Sequence, residues 1–322
     1  MAASLRGATV AGVTAPVLIL TGPTGSGKSD WAMHLAQRWP VEIISVDSAQ
    51  VFRGMAIGTA KPGAAARAAV AHHLLDILDP VQAYSAGQFA RDAVALIGQI
   101  RGRGHIPLLV GGTMLYLRAL RQGLAQLPHA SPELRKSLDA AAAARGWPAL
   151  HAELARLDPQ AAQRIHPNDA QRIQRALEVC ELTGQTLSGL QQHSPAVLPE
   201  PTPIWALVPE PRALLHERIA TRFNRMMAQG FLDEVRSLHG RGDLNAHHAS
   251  MRAVGYRQLW DHCDGLTTLA EAGQRAGAAT RQLAKRQLTW LKREQEACWF
   301  DPLDEKLYSK AITYIKSLSV TR

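Results

Sequence analysis

An α/β fold built on a parallel sheet flanked by helices, of the P-loop NTPase type and carrying an all-helical insertion domain, is the architecture this sequence predicts. Three observations carry it. Short apolar runs alternate with helix-patterned segments, the first run opens into GPTGSGKS, and a long stretch between the third and fourth runs shows helix signals only. The first run, VLILT (17–21), leads through the glycine-rich turn into DWAMHLAQRW, where Trp31, Leu35 and Trp39 recur at helical spacing. VEIISVD (41–47) is the second run and ends on Asp47, while PLLVGG (107–112), the third, ends on two glycines before the helix-patterned TMLYLRAL. PIWALV (203–208) is the fourth, and ACWFD (297–301) can add a last short strand.

Residues 126–195 predict the insertion. Ser131, Pro132 and Glu133 form a helix start, Asn168 or Asp169 can cap a later helix, and Gly184 stops it. QTLSGLQQHSPAVLPEPTP (185–203) reads as a linker back to the core, which then comprises 15–125 and 196–322. PRALLHERIATRFNRMMAQGF, DEVRSLHGRG and the long segment 270–296 are helix-patterned, and KAITYIKSL (310–318) makes a weak terminal helix.

Composition narrows the function classes. With 46% hydrophobic residues in 322, the chain can bury a sizeable core and is not disordered. No stretch approaches the ~20 apolar residues of a membrane span. The first sixteen residues lack the long apolar segment of a secretory signal, and Cys180, Cys263 and Cys298 are sparse and unpaired in pattern. A cytoplasmic protein with reduced thiols is therefore expected. The formal charge of +9 points to a polyanionic partner, and its make-up of 28 arginines and 8 lysines suits phosphate and nucleobase recognition.

Gly22, Pro23, Thr24, Gly25, Ser26, Gly27, Lys28 and Ser29 fit the phosphate-loop pattern G-x-x-x-x-G-K-[ST], in the required position between a strand and a helix. Its glycines let backbone N–H groups converge on phosphate oxygens at a positively polarised helix start. Lys28 would bridge distal phosphates and Ser29 would ligate Mg²⁺. Asp47, at the carboxyl end of the second strand, should lie beside that loop, as a water-mediated Mg²⁺ ligand or as a general base. The third strand ends in glycines where ATPases carry a metal-binding aspartate. Gly111 and Gly112 would admit a substrate to the backbone, with Thr113 placed to donate a hydrogen bond.

Taken together, GPTGSGKS, DSAQVFRGMAIGTAKP (47–62), the block 72–93, PLLVGGTMLYLRAL, RIHPNDAQRIQRALEV (164–179), MRAVGYRQLW and ATRQLAKRQLTWLK resemble the tRNA dimethylallyltransferases, the IPP transferase family. The blocks run in family order from residue 17 to about 300. The resemblance implies transfer of a dimethylallyl group from dimethylallyl diphosphate to N6 of adenosine 37, in tRNAs reading codons that begin with U. The phosphate loop would then hold the diphosphate of the donor. Asp47 is implied as the base, Lys28 and Arg222 (preferred to Arg218 in LLHERIATRF) as diphosphate contacts, and Thr113 as a contact of the target adenosine. Contacts to the anticodon stem-loop are implied for Asp47, Ser48, Ala49 and Gln50, and in the insertion for Arg135, Gln171, Arg172, Ile173, Gln174 and Arg175. Near the C-terminus they are implied for Arg252, Ala253, Val254, Gly255, Tyr256 and Arg257, and for Lys285, Arg286, Gln287, Leu288, Thr289, Trp290, Leu291 and Lys292. The family often has tyrosine where this chain has Phe52 and alanine where it has Gly25. No obligate protein partner is implied.

The charge pattern agrees with an RNA ligand. Residues 252–293 contain eight basic and three acidic side chains, so more than half of the surplus lies in that stretch. Residues 129–193 balance at seven and seven. His72–His73 and His247–His248 lack partners at metal-ligand spacing. A small-molecule kinase, a prenyltransferase of free adenine nucleotides, and an RNA-binding module with a vestigial loop are the competing readings.

Overall fold

The computed structural model describes residues 15–125, 127, 128, 130–192, 198, 202–304, 307, 309 and 313. Residues 1–14, the end of the expected linker and most of the helix expected at 310–318 lie outside the described residues. The chain forms two compact units, one of Met1–Leu117 with Glu200–Arg322 and one of Arg118–Pro199.

The first unit begins with β1 (Leu18–Thr21), α1 (Lys28–Ala36), β2 (Val41–Val46), α2 (Ala64–Ala69), the two-residue β3 (His72–His73), α3 (Ala86–Gly102) and β4 (Ile106–Gly111), and α4 (Met114–Gln122) runs across the boundary at Leu117. The second unit carries α5 (Pro132–Arg145), α6 (Trp147–Leu157), α7 (Pro159–Arg164), α8 (Ala170–Thr183) and α9 (Leu187–Gln192). The first unit resumes with β5 (Ile204–Leu207), α10 (Arg212–Ala228), α11 (Phe231–His239), α12 (Tyr256–Cys263), α13 (Leu269–Leu291) and β6 (Ala297–Phe300).

All six strands are parallel, in the order β3-β2-β4-β1-β5-β6. Every residue of β1, β2 and β5 is buried. That explains why these strands read as continuous apolar runs, since a parallel sheet is covered on both faces. Leu18, Leu20, Ile43, Leu108 and Trp205 pack with Ala32 and Leu35 of α1 into one core. A second core joins Val51, Phe52 and Met55 to α11, α12 and Ala272 of α13. Phe52 is 2% exposed in it, so a phenylalanine needs no partner for a hydroxyl there.

Among the described residues of the second unit there is no strand. Its helices start as the sequence indicates: Ser131 Oγ accepts from the Leu134 amide, Asp169 from the Arg172 amide, and Gly184 ends α8 in the left-handed conformation. The segment expected to be linker forms α9 in part, because Leu187 packs into the insertion core and the Ser188 amide and hydroxyl both donate to buried Asp158. Short β3 and α2 escape sequence patterning, β3 because two residues show no period and α2 because it buries no side chain.

At the amino end of the sheet Glu42 ties three segments together. Its carboxylate accepts a two-pronged bond from Arg103 (2.8 and 2.7 Å) and single bonds from His73 (2.7 Å) and His105 (2.8 Å). Arg103 chiefly, helped by both histidines, holds the carboxyl down at about 2 against the opposing effect of burial. A carboxyl whose folded value lies below its unfolded one stabilises above the unfolded value and loses that contribution as pH falls. Urea denaturation is expected to show stability dropping by about 3 kcal/mol between pH 5 and pH 2 through this group. Glu42→Ala should remove a similar amount at pH 7 and flatten that acid dependence.

Candidate active site

The carboxyl ends of β1, β2, β4 and β5 share one edge, where crevices of α/β sheets form. β1 runs into the phosphate loop, and α1 starts at Lys28 after Gly27, whose φ is +91°. The first N–H groups of α1 thus keep their free positions at the positive end of the helix. Gly22 is required by proximity: a Cβ there would stand 2.2 Å from the Leu207 carbonyl oxygen of β5. Gly25 has φ +82°, so although side-chain space exists at 3.4 Å, alanine would be strained by about 1–2 kcal/mol. The change noted in the sequence therefore matters to this loop. Lys28 Nζ folds back to the Pro23 carbonyl (2.7 Å) and Ser26 Oγ (3.3 Å), and Ser29 is exposed.

Asp47 does not touch β1 directly, because β4 lies between β2 and β1. At roughly 4.8 Å between strands, two spacings separate Asp47 from the loop. Residues without side chains occupy the gap, and the reason differs from substrate access. A Cβ on Gly111 would lie 2.1 Å from the Val46 carbonyl oxygen, and one on Gly112 2.4 Å from Gln287 Nε2. Asp47 Oδ1 accepts from the Ala49 and Gln50 amides (2.8 and 3.2 Å), which locks the strand-end turn. Oδ2 carries no hydrogen bond among the described residues. Thr113 Oγ1 accepts from the Ser48 amide (3.1 Å), so its proton remains available for donation.

Two clefts meet here. The larger, about 950 Å³, is lined by Gly25, Gly27, Lys28, Ser29 and the GTAKP segment. Arg218, Arg222 and Arg225 also line it. Their spacing of four and three puts all three on one face of α10. Arg218 lines the cleft together with the expected Arg222. Arg218 Nη2 lies 3.5 Å from where a Cβ on Gly27 would sit, and its Nη1 is buried with no hydrogen-bond partner among the described residues. The i, i+4, i+7 arginine pattern was the available signal, and it needed the fold to show which face is inward. Burial first, and Arg222 nearby, hold the Lys28 ammonium down at about 7, with Asp47 opposing.

The second cleft, about 500 Å³, shares Thr24, Asp47, Gly112, Arg222 and Gln287 with the first. It gathers Ser48, Ala49, Thr113 and residues 252–256, together with Arg286 and Trp290 of α13. Other expected RNA contacts are placed elsewhere. Gln50 lines the first cleft and bonds Ser45, while Arg257, Lys285, Thr289 and Lys292 are exposed outside both clefts. Leu288 (7% exposed) and Leu291 (0%) face the core, since they belong to the buried side of α13. Tyr256 is fully buried behind the cleft wall, its hydroxyl donating to Glu234, whose carboxylate also accepts the amides of Ala56, Ile57 and Gly58. In the second unit Ile173 is a core residue, and Gln171 and Arg172 are exposed on α8. Arg135 and Arg175 both donate to buried Glu178, and Gln174 donates to Asp139 (2.7 Å).

Lys28, Lys61, Arg218, Arg222 and Arg225 line this cleft beside Asp30, Asp47 and Glu217, so cations outnumber carboxylates by five to three. A bound anion raises the affinity of Lys28 for its proton. Above pH 7 the free side chain is largely neutral and must take up a proton on binding. Inorganic diphosphate should therefore bind more weakly as pH rises through about 7. Calorimetry at pH 8 in buffers of different ionisation heat should register proton uptake; its absence would mean that Lys28 is already charged in the free protein.

The family model described as IPP transferase matches residues 50–294, and one described as isopentenyl transferase matches residues 15–75. A tRNA dimethylallyltransferase of Alkalilimnicola ehrlichii is 59% identical over 90% of this chain and 92% of its own length. One of Methylococcus capsulatus is 54% identical over 94% of this chain and 97% of its own. Among solved structures, the tRNA isopentenylpyrophosphate transferase of Bacillus halodurans superposes with a TM-score of 0.67 at 37% identity, covering 94% of this chain and 95% of that one. A eukaryotic dimethylallyltransferase acting on tRNA gives 0.81 at 25% identity, covering 96% and 80%. Matched along nine-tenths of its length by such relatives, the chain belongs to the IPP transferase family, the tRNA dimethylallyltransferases.

Proposed function

We propose that this chain prenylates N6 of adenosine 37 in tRNAs that read codons beginning with U, taking the dimethylallyl group from dimethylallyl diphosphate. The observation that supports it is the position of Asp47 Oδ2 at the junction of two clefts. One presents Lys28 and three arginines, and the other gathers Thr113, Arg252, Arg286 and Trp290. A diphosphate fits the first cleft and a base extruded from its stack fits the second.

An exocyclic adenine amine is a weak nucleophile because its lone pair is delocalised into the ring. Asp47 Oδ2 accepts the N6 proton as the N6–C1 bond forms and the C1–O bond to diphosphate breaks. Thr113 Oγ1, held by the Ser48 amide, donates to the base and orients it. The negative charge that develops on the leaving diphosphate is met by Lys28, Arg218, Arg222 and the free amides of α1, donors fixed in place before reaction. The residues fit a magnesium ion carried by its substrate. Among the described residues no group of three His, Cys, Asp or Glu could hold a metal alone, while exposed Ser29 faces the diphosphate cleft. Mg²⁺ held by Ser29 and phosphate oxygens would neutralise leaving-group charge.

Arg252, Arg257, Arg281, Lys285, Arg286 and Lys292 supply phosphate contacts to the anticodon arm from the first unit, and Arg135, Arg172 and Arg175 from the insertion. Residues 15–125 with 196–322 serve as the catalytic core and 126–195 as the RNA-gripping insertion. A tRNA substrate is compatible with work in the cytoplasm. No helix among the described residues is long and apolar enough to cross a membrane.

Purified protein, Mg²⁺, labelled dimethylallyl diphosphate and unmodified tRNA reading UNN codons should yield labelled tRNA. Label in free adenine nucleotides instead, or phosphate transfer from ATP to a small molecule, would overturn the assignment. Asp47→Ala should lower kcat by about 10²–10⁴-fold while tRNA Kd changes by less than about twofold. An equal loss of both would remove Asp47 as the base.

A further inference from the structure

Gln287 sits in the middle of the basic stretch of α13, yet it does not share the exposure of its neighbours. Arg281, Lys285, Arg286 and Lys292 are exposed, whereas Gln287 is 8% exposed and points into the fold. Its Oε1 accepts from the Thr24 amide of the phosphate loop (2.9 Å), and its Nε2 donates to the Gly112 carbonyl (2.8 Å). These partners lie 263 and 175 residues away in sequence. Of the α13 side chains, Gln287 alone lines both clefts. Gly112 lacks a side chain at the point where a Cβ would collide with Nε2 at 2.4 Å. Ala284 and Leu288, one turn before and one residue after, pack with Leu215 and Ile219 of α10, so the backbone that carries Gln287 is anchored to the arginine-bearing helix.

We infer that Gln287 is a positioning residue for the prenyl donor, one that sets the phosphate loop and the β4–α4 turn in register, and not a contact of the tRNA. This rests on the proposed function, because it assumes that the larger cleft holds a diphosphate. The chemistry is specific to an amide. One end must accept from Thr24 and the other must donate to Gly112, at the length of a glutamine. Methionine keeps that length and loses both bonds, and glutamate would set a carboxylate oxygen against a carbonyl. The Thr24 amide, being occupied, is withdrawn from anion binding and serves to hold the loop in shape. The helix that offers its basic face to RNA therefore also braces the donor site through one side chain.

Calorimetry with inorganic diphosphate, donor KM and tRNA Kd, measured on wild type and Gln287→Met, test this. The expected result is a diphosphate Kd and a donor KM raised about tenfold, the size of one well-placed hydrogen bond, with tRNA Kd within about twofold and thermal unfolding still cooperative. If Gln287→Met fails to fold, Gln287→Glu, which keeps the acceptor for Thr24 and loses the donation to Gly112, should give the same split. Wild-type affinity for diphosphate in the variant, or a larger loss in tRNA Kd than in diphosphate Kd, overturns the inference. A wild-type protein that binds no diphosphate overturns the functional reading on which it rests.

Discussion

Backbone crowding at the carboxyl edge of the sheet is the constraint on which the rest of the site depends. Gly22 approaches the Leu207 carbonyl of β5, Gly111 approaches Val46 of β2, and Gly112 packs against both Gln287 and the Gly22 carbonyl. Methyl groups at these points would stand between 2.1 and 2.4 Å from their nearest neighbours, so the strand ends could not close on one another. With hydrogen there instead, four strand ends converge and leave a floor of backbone. Only selected side chains, Lys28, Asp47, Thr113 and Gln287, rise from it. Asp47 can then face the phosphate loop across an intervening strand, over a distance that any larger residue at Gly112 would block.

The charges follow from that floor. α10 lines the cleft beside the loop with three arginines, and Lys28 loses part of its affinity for its proton through burial first and Arg222 second. Cations outnumber carboxylates on this cleft by five to three, and Nη1 of Arg218 is buried without a hydrogen-bond partner among the described residues. Elsewhere the protein neutralises its buried acids internally. Glu42 is held by Arg103 and two histidines, and Glu178 by Arg135 and Arg175. The contrast sets Arg103, Arg135 and Arg175, each paired with an internal acid, apart from the α10 arginines that line the cleft. It also recasts Arg135, which serves Glu178 while its side chain remains 41% exposed.

Much of this was legible beforehand, and for physical reasons. Buried parallel strands are mostly apolar, so five of the six strands were visible as runs, and the helix ends at Ser131, Asp169 and Gly184 use side-chain or backbone chemistry that acts within a single turn. β3 was hidden because two residues carry no period. α9 was hidden because a Ser/Gln/Pro composition resembles a linker until buried Asp158 is seen to accept from Ser188. Among the site residues, Lys28, Ser29, Asp47 and Thr113 are local to strand ends and could be placed from the motif. Leu288, Leu291 and Ile173 joined the RNA-contact set by adjacency in the chain and their side chains are buried, whereas buried Tyr256 still lines the second cleft.

By itself the sequence determined the phosphate loop, the aspartate at the end of β2, the helical insertion and the family, because each depends on short-range pattern or on motif spacing. Only the tertiary structure decided which arginines of α10 face the loop, why Gly111 and Gly112 must lack side chains, and what Gln287 does. Those outcomes rest on contacts between segments as many as 263 residues apart, and no local pattern encodes which face of a helix will meet a distant backbone.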